Sequence, residues 1–481
     1  MKQSGAILLI SCYELGHQPV GIALPFGFLK HAGYQPAALD ISVEPLNPEK
    51  VQGAKFVGIS VPMHTALRLG TKVAERVREI NPPCHISFYG LYASLNAEYL
   101  LTHGADSVIG GEYEIPLLGL IQSLEKEEKR EIPGVSRLGQ ISDPYLERIS
   151  FVPAHREGLP PLEKYAHLEG DGTKQVGGYT EASRGCLHLC RHCPIPPVYG
   201  GRFFVIPKEV VLEDIRRQAA LGATHITFGD PDFLNGPGHS LKIVRAMHQE
   251  FPDLTFDITT KVEHILKYRS QFETLRALGC LFVVSAVESL SNTVLEHLDK
   301  GHTHADVERA LSILREAGIA LRPSLVPFTP WATLTDYEEL LDFVESEKLI
   351  DFVDPVQYTI RLLIPPGSLL LNASAMKPYL GPLVQESFTY TWIHPDPRMD
   401  RLQRDVTEVV EKAVASHQDP HITFHQIRLL TDVALGKTTK RPSPKFNPLR
   451  TRPPRLTESW FCCAEPTQGQ LDPLQKSLVN L

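Results

Sequence analysis

Apolar runs alternate with amphipathic stretches along the first 125 residues of the chain. "AILLIS" (6–11), "AALDIS" (37–42), "FVGISV" (56–61), "HISFYG" (85–90) and "DSVIGG" (106–111) are short apolar runs of the kind that form strands buried in a parallel sheet. Between them, segments such as "TALRLGTKVAERVREI" repeat their apolar residues at helical spacing. Five such units predict an α/β domain over residues 1–126, with an open parallel sheet of the flavodoxin-like, Rossmann-type kind. Ligands of such sheets sit above the carboxyl ends of the strands, so "SCYELGHQPVG", "SVPMHTA", "YGLYAS" and "GGEYE" are the candidate binding loops. Their glycines permit close backbone approach to a large ligand, although ordinary strand-to-helix turns use the same residues.

The pattern resumes beyond the charged segment "SLEKEEKREIPG" (123–134) and a connector, 127–174, that lacks sustained periodicity. "THITFGD" (224–230), "LTFDITT" (254–260), "LFVVSAVES" (281–289), "LRPSLVPF" (321–328) and "VDPVQYTI" (353–360) read as strands that alternate with amphipathic helices such as "HADVERALSILREAG". Six repeats over 175–375 predict a partial (β/α)6 barrel, whose ligands gather at the carboxyl ends of its strands. "DRLQRDVTEVVEKAVASHQ" and "HITFHQIRLLTDVALG" predict two helices, an α-helical C-terminal cap over 376–439. A basic, proline-rich linker and a tail containing two adjacent cysteines fill 440–481.

Composition narrows the possible functions. A chain of 481 residues with 42% hydrophobic residues exceeds what one core usually serves, which agrees with two or three domains. The formal charge of −8 comes with no concentrated basic surface, so nucleic acid is not an expected partner. No run reaches the length of a membrane span and the opening residues read as a strand, so no membrane association and a cytoplasmic location are expected. Eight cysteines are too few for a disulfide scaffold, and clustered ones point to metal or redox chemistry in a reducing compartment.

The densest cluster is "EASRGCLHLCRHCPIPPVYGG", with Cys186, Cys190 and Cys193 in C-x3-C-x2-C spacing. Three thiolates from one loop can hold three irons of a four-iron four-sulfur cluster and leave the fourth iron open. A structural zinc site needs four ligands, for which His188 or His192 could complete the set.

This spacing, its "SRGC" lead-in and the barrel after it resemble the radical S-adenosylmethionine (SAM) superfamily, and the first domain resembles the cobalamin-binding domain fused to many members. The resemblance runs over residues 5–375. It implies a 4Fe-4S cluster on Cys186, Cys190 and Cys193, whose open iron chelates the amino and carboxylate groups of SAM. One electron, from a donor such as flavodoxin or ferredoxin, then releases a 5'-deoxyadenosyl radical. The resemblance further implies SAM contacts at Gly229 and Asp230 after the second strand and at Glu288 and Ser289 after the fourth, with Lys300 and Thr303 in a "KG-x-T" ending. Asp230 could equally cap a helix and Glu288 could be solvated. Arg322, inside an apolar strand, would meet the methionine carboxylate or serve in an ion pair. For cobalamin, the analogy offers His17, Ser60, Thr65, Gly90, Gly110, Gly111 and Glu112. The D-x-H-x-x-G motif that ligates cobalt is absent, so His17 reads more readily as a loop residue.

"FCCAEPT" resembles the terminal motif of the CUAEP/CCAEP-tail group, in which the position of Cys463 is selenocysteine or cysteine. That exchange implies a reactive chalcogenolate at Cys463, as metal ligand, nucleophile or redox partner of Cys462. The activity implied is methyl transfer to an unactivated carbon of a small-molecule substrate. Alternatives are a non-methylating radical rearrangement or carbon–sulfur, carbon–selenium or carbon–arsenic bond formation using the tail thiols, and an iron–sulfur or zinc redox sensor without turnover.

Overall fold

The structure is a computed structural model that describes residues 1–128, 130–170, 173–438 and 441–458. In the first domain, β1 (Ile7–Ser11), β2 (Ala37–Asp40), β3 (Phe56–Ser60), β4 (His85–Tyr89) and β5 (Ser107–Ile109) form a parallel sheet in the order β2-β1-β3-β4-β5. A two-residue antiparallel strand, β6 (Val135–Ser136), closes its edge. Every residue of β1 and β3 is buried, because helices cover both faces of the sheet. The predicted flavodoxin-like strand set is present, and its carboxyl ends carry the loops read as a binding edge.

The second sheet begins with β7 (His167–Gly170) and β8 (Thr173–Thr180), an antiparallel pair. A small ladder, β9 (Ser183–Gly185) with β10 (Phe203–Val205), frames the cysteine loop. The sheet continues through β11 (His225–Phe228), β12 (Thr255–Thr259), β13 (Cys280–Glu288) and β14 (Ala320–Leu325), each parallel to its neighbour from β8 onward. Helices 304–316 and 334–346 both open on capping boxes, Thr303 with Asp306 and Thr333 with Asp336, which satisfy the first free N–H groups. Thr303 of the "KG-x-T" ending is thus a helix cap.

The sixth barrel strand predicted at 353–360 does not form. Pro355 has no N–H to donate, and residues Pro355–Tyr358 wind into a 3-10 turn. The Gln357 side chain instead accepts from the Leu325 N–H at 2.9 Å, and only a single bridge, Phe328 to Arg361, continues the parallel pairing. The sheet is therefore an open half-barrel. A hairpin of β15 (Leu380–Val384) and β16 (Thr389–Trp392) precedes helices 397–415 and 420–434. These are the two helices predicted for the C-terminal cap; 420–434 packs on helix 334–346, and both border the 3-10 turn.

Two features depart from a loosely tethered arrangement. Arg156 of the connector is buried and donates twice to Asp214 on a barrel helix, at 2.9 Å each, and to the Gln18 side chain of the first domain at 3.0 Å. The proline-rich segment is likewise anchored, since Arg450 pairs with Asp351 at 2.5 Å and Asp419 at 3.0 Å, and Arg452 with Asp419 at 2.7 Å. It ends in β17 (Arg455–Leu456), which adds antiparallel to β7.

Gly111 shows how close the connector approaches. Its φ is +79°, and a Cβ there would collide with the Tyr145 backbone carbonyl. Gly111→Ala is expected to cost about 2–4 kcal/mol of stability through strain and displacement of the connector, read as a lowered urea midpoint with an unchanged m-value.

Candidate active site between the two sheets

The cysteine loop is pinched at its base. Gly185 has φ +73°, and a side chain there would strike the Arg202 carbonyl and the Tyr199 ring, so glycine alone lets β9 and β10 close under the loop. The loop is moored at its far end by Arg191 N–H donating to the Leu298 carbonyl at 2.9 Å. Cys186 and Cys190 are buried, and Cys193 reaches a cavity wall.

The surroundings of the thiols suit an electron-rich metal–sulfur group. Asn235 Nδ2 donates to Cys186 Sγ at 3.6 Å. Lys300 is buried beside the loop; burial opposes its charge, but Glu288, Cys190 and Cys193 outweigh that and hold the ammonium above its ordinary range. Glu288 accepts from Lys300 at 3.1 Å and lies 3.2 Å from His192 Nε2. Burial opposes its charge too, yet these two partners bring the carboxyl down to about 2. The other oxygen, Oε2, is buried with no hydrogen-bond partner among the described residues, an acceptor left for a ligand.

Each histidine considered as a fourth zinc ligand has one ring nitrogen engaged away from the thiols. His192 faces Glu288, and His188 accepts at Nδ1 from the Lys261 ammonium at 3.1 Å. That contact places the ring proton on His188 Nε2, which faces Asp232 Oδ2 at 3.6 Å, while His264 Nδ1 approaches the same oxygen at 2.8 Å. The group is a carboxylate shared by two imidazoles. Burial and Lys261 together lower His188 to about 4, so its ring is neutral.

A cavity of about 250 Å³ lies between the carboxyl ends of the two sheets. His17, Ser60 and Gly90 line it from the first domain, and Gly229, Asp230 and Arg322 from the barrel, so six residues predicted from distant segments share one space. His17 stacks on Tyr179 with centroids 4.4 Å apart, and burial lowers its imidazole to about 3. Gly229 is obligatory, because a Cβ there would overlap the Tyr179 hydroxyl. Asp230 accepts from Ala182 N–H at 2.8 Å and Ser183 Oγ at 2.5 Å. Arg322 pairs with Asp354 at 2.7 Å, but its Nη1 is buried without a partner among the described residues and is available to an anion.

The remaining predicted residues lie outside this wall. Thr65 is buried in helix 64–80, Gly110 packs on Ser94, Gly111 braces the connector, and Ser289 Oγ accepts from the Ser291 N–H in a turn. Glu112 stands behind the wall, accepting from Tyr199 at 2.9 Å and Arg184 at 3.2 Å. Cys462 and Cys463 lie outside the described residues.

Several site residues were not singled out from the sequence. Arg184, within "SRGC", is buried among Glu112, Glu114 at 2.7 Å and Glu181 at 3.0 Å, joining first domain to barrel. Glu14 lines the cavity, and burial together with Glu181 raises its carboxyl to about 8 despite N–H donors at Val20 and Gly21. The only legible signal was the carboxylates in the two predicted binding loops; their pairing across some 70 positions of chain was not.

Residues 180–344 match the Radical SAM superfamily profile. The chain carries a radical SAM domain. Hopanoid C-3 methylase of Methylococcus capsulatus is 26% identical over 65% of this chain and 62% of its own length. The radical SAM domain and the domain before it share their fold with the cobalamin-dependent SAM radical enzyme OxsB, solved with aqua-cobalamin bound, at TM-score 0.69 and 16% identity over 89% of this chain and 72% of that one. The radical SAM methyltransferase TsrM of Kitasatospora setae, solved with cobalamin and a 4Fe-4S cluster, matches at TM-score 0.58 and 17% identity over 72% of this chain and 71% of that one.

Two outcomes follow from these buried charges. Lys300→Met, which strands Glu288, should cost about 3–5 kcal/mol in denaturant titration of the apo-protein, and adding Glu288→Gln should recover part of it. Glu14 has a folded-state pKa raised to about 8 from 4.5, so ionisation disfavours the folded state and stability falls as pH rises through that window. Glu14→Gln should flatten the decline, seen by comparing urea midpoints at acidic and mildly alkaline pH.

Proposed function

We propose that the protein is a cobalamin-dependent radical SAM enzyme that transfers a methyl group to an unactivated carbon of a small molecule. The observation that carries this reading is the single cavity onto which Cys193, the barrel's Gly229, Asp230 and Arg322, and the first domain's His17, Ser60 and Gly90 all open. Cys186, Cys190 and Cys193 would hold the 4Fe-4S cluster, and the donor set fits: three thiols on one loop, a buried ammonium beside two of them and an amide N–H on the third. When bound, the cluster with SAM supplies the radical and cobalamin supplies the methyl group.

The chain's own residues do the rest. Arg322 Nη1 offers a guanidinium to the methionine carboxylate, and Glu288 Oε2 offers an acceptor close to the cysteine loop. The apolar walls, including Met63, Tyr179 and Phe282, exclude water from the reacting centre. His17 lines the cavity stacked on Tyr179, and the two rings would present an apolar face to the cobalamin. The electron comes from outside, from a donor such as flavodoxin or ferredoxin. Cys462 and Cys463 belong to the same proposal as substrate-holding or reactive thiols, supported by the entry of the chain into the cavity wall at Glu458, four residues before Cys462. No helix among the described residues is long and apolar enough to cross a membrane.

Anaerobic reconstitution should give about four irons per chain and a charge-transfer band, both lost in Cys186→Ala. Reduction with SAM should release 5'-deoxyadenosine, and S-adenosylhomocysteine alongside it marks methyl transfer. One bound zinc without that absorption would defeat the reading, whereas 5'-deoxyadenosine alone would restrict it to other radical chemistry.

A further inference from the structure

The half-barrel leaves a seam between β14 and β7, and the C-terminal strand lies across it. β17 pairs with β7 in the register Arg455 with Glu169 and Leu456 with Leu168. Thr457 N–H extends the ladder to the His167 carbonyl at 2.8 Å, and His167 N–H returns a bond to Thr457 Oγ1 at 2.9 Å. Toward the other edge, Arg455 lies 3.8 Å from Asp354, the carboxylate that pairs with Arg322 of β14. Leu456 packs with Leu168, Phe282 and Val284 in a small cluster separate from the main barrel core. One residue beyond Thr457, Glu458 accepts from Tyr13 Oη at 2.5 Å and lies against Gly16, both in the first binding loop of the N-terminal domain. Leu456 and Glu458 are part of the cavity wall.

We propose that residues 455–458 are a detachable stave of the barrel: a strap that completes the cavity wall with Leu456 and Glu458 when shut and, when it lifts, opens the cavity to admit cobalamin. The claim rests on the reading of the cavity as the cobalamin site. The strap has the physical marks of an element that opens before its surroundings. Its ladder is two residues long and sits at a sheet edge, its apolar cluster is small, and its Arg455–Glu169 pair is about one-third to two-fifths exposed. The segment before it stays fixed, because Arg450 and Arg452 are held by Asp351 and Asp419, so the movement hinges near Pro453 and Pro454. Tyr13 is the latch at the far end. Closure joins both domains across the cavity, and among the described residues opening breaks that bond, the short ladder, the Leu456 packing and the Arg455 pairs.

Hydrogen exchange by mass spectrometry on the full chain tests the strap directly. Amides of 455–458 and 167–170 should exchange at least about 100-fold faster than those of β11; equal protection would overturn the proposal. Stopped-flow binding of aquocobalamin gives a second arm. Arg455→Ala, which removes one partly exposed contact, should raise the association and dissociation rate constants together by about two- to fivefold, and Tyr13→Phe, which removes the part-buried latch bond to Glu458, should raise both in the same sense, with little change in their ratio. A change confined to dissociation would show an ordinary ligand contact and overturn the gate. If the unaltered chain binds no aquocobalamin, the cofactor reading of the cavity fails, and the exchange measurement still decides whether the strap opens.

Discussion

A guanidinium taken out of water must be paired on every side, and Arg184 is the one on which this site depends. It stands two residues before Cys186, within hydrogen-bond reach of Glu112, Glu114 and Glu181, with the rings of Tyr113 and Phe151 against its faces. Glu112 and Glu114 come from the last binding loop of the first domain and Glu181 from the barrel. The ion cluster therefore fixes the cysteine loop relative to the first sheet, and with it the span of the cavity. Buried ion clusters of this kind contribute less to net stability than their Coulomb energy suggests, because desolvation offsets most of it. Their value here is geometric: few other arrangements of the two domains leave none of these charges stranded.

The same logic recurs at two other joints. Arg156 carries the connector between Gln18 and Asp214, and Arg455 carries the C-terminal strand between Glu169 and Asp354. These differ in burial, which sets what each can do. Arg156 is almost wholly enclosed, so separating it from Asp214 would expose two unpaired charges to an apolar surrounding. Arg455 keeps contact with solvent, and water can replace its partners at little cost. A rigid domain junction and a strap that can lift are thus built from one residue type in two dielectric settings.

In the cavity wall and beside the cysteine loop, protein-facing bonds and ligand-facing atoms are divided within single side chains. Arg322 spends one nitrogen on Asp354 and leaves Nη1 unpartnered among the described residues. Glu288 uses Oε1 for Lys300 and His192 and leaves Oε2. Each half-satisfied group is held in place by the bond it makes, so the remaining atom is oriented before any ligand arrives. Asp230 differs: its oxygens are committed to Ala182 and Ser183, and its part in the wall is to fix the approach of the cysteine loop to the second strand.

What the sequence determined by itself was the set of local periods and the one local motif. Buried parallel strands declare themselves as apolar runs, and a C-x3-C-x2-C loop keeps its ligand chemistry within eight residues, so both were legible without a fold. The sixth barrel strand was misread because "VDPVQYTI" has strand-like apolar content, whereas Pro355 removes a ladder donor and tertiary contacts reward the Gln357 side-chain bond instead. Gly110, Gly111 and Thr65 do not line the cavity for a related reason: a loop at the right strand end can face its connector or its own helix as well as a ligand. Only the tertiary structure decided which carboxylates surround Arg184, where the proline-rich segment ends and which strand fills the seam. These are pairings between residues tens to hundreds of positions apart, and charge pairing, unlike hydrophobic periodicity, leaves no repeat along the chain that reveals its partner.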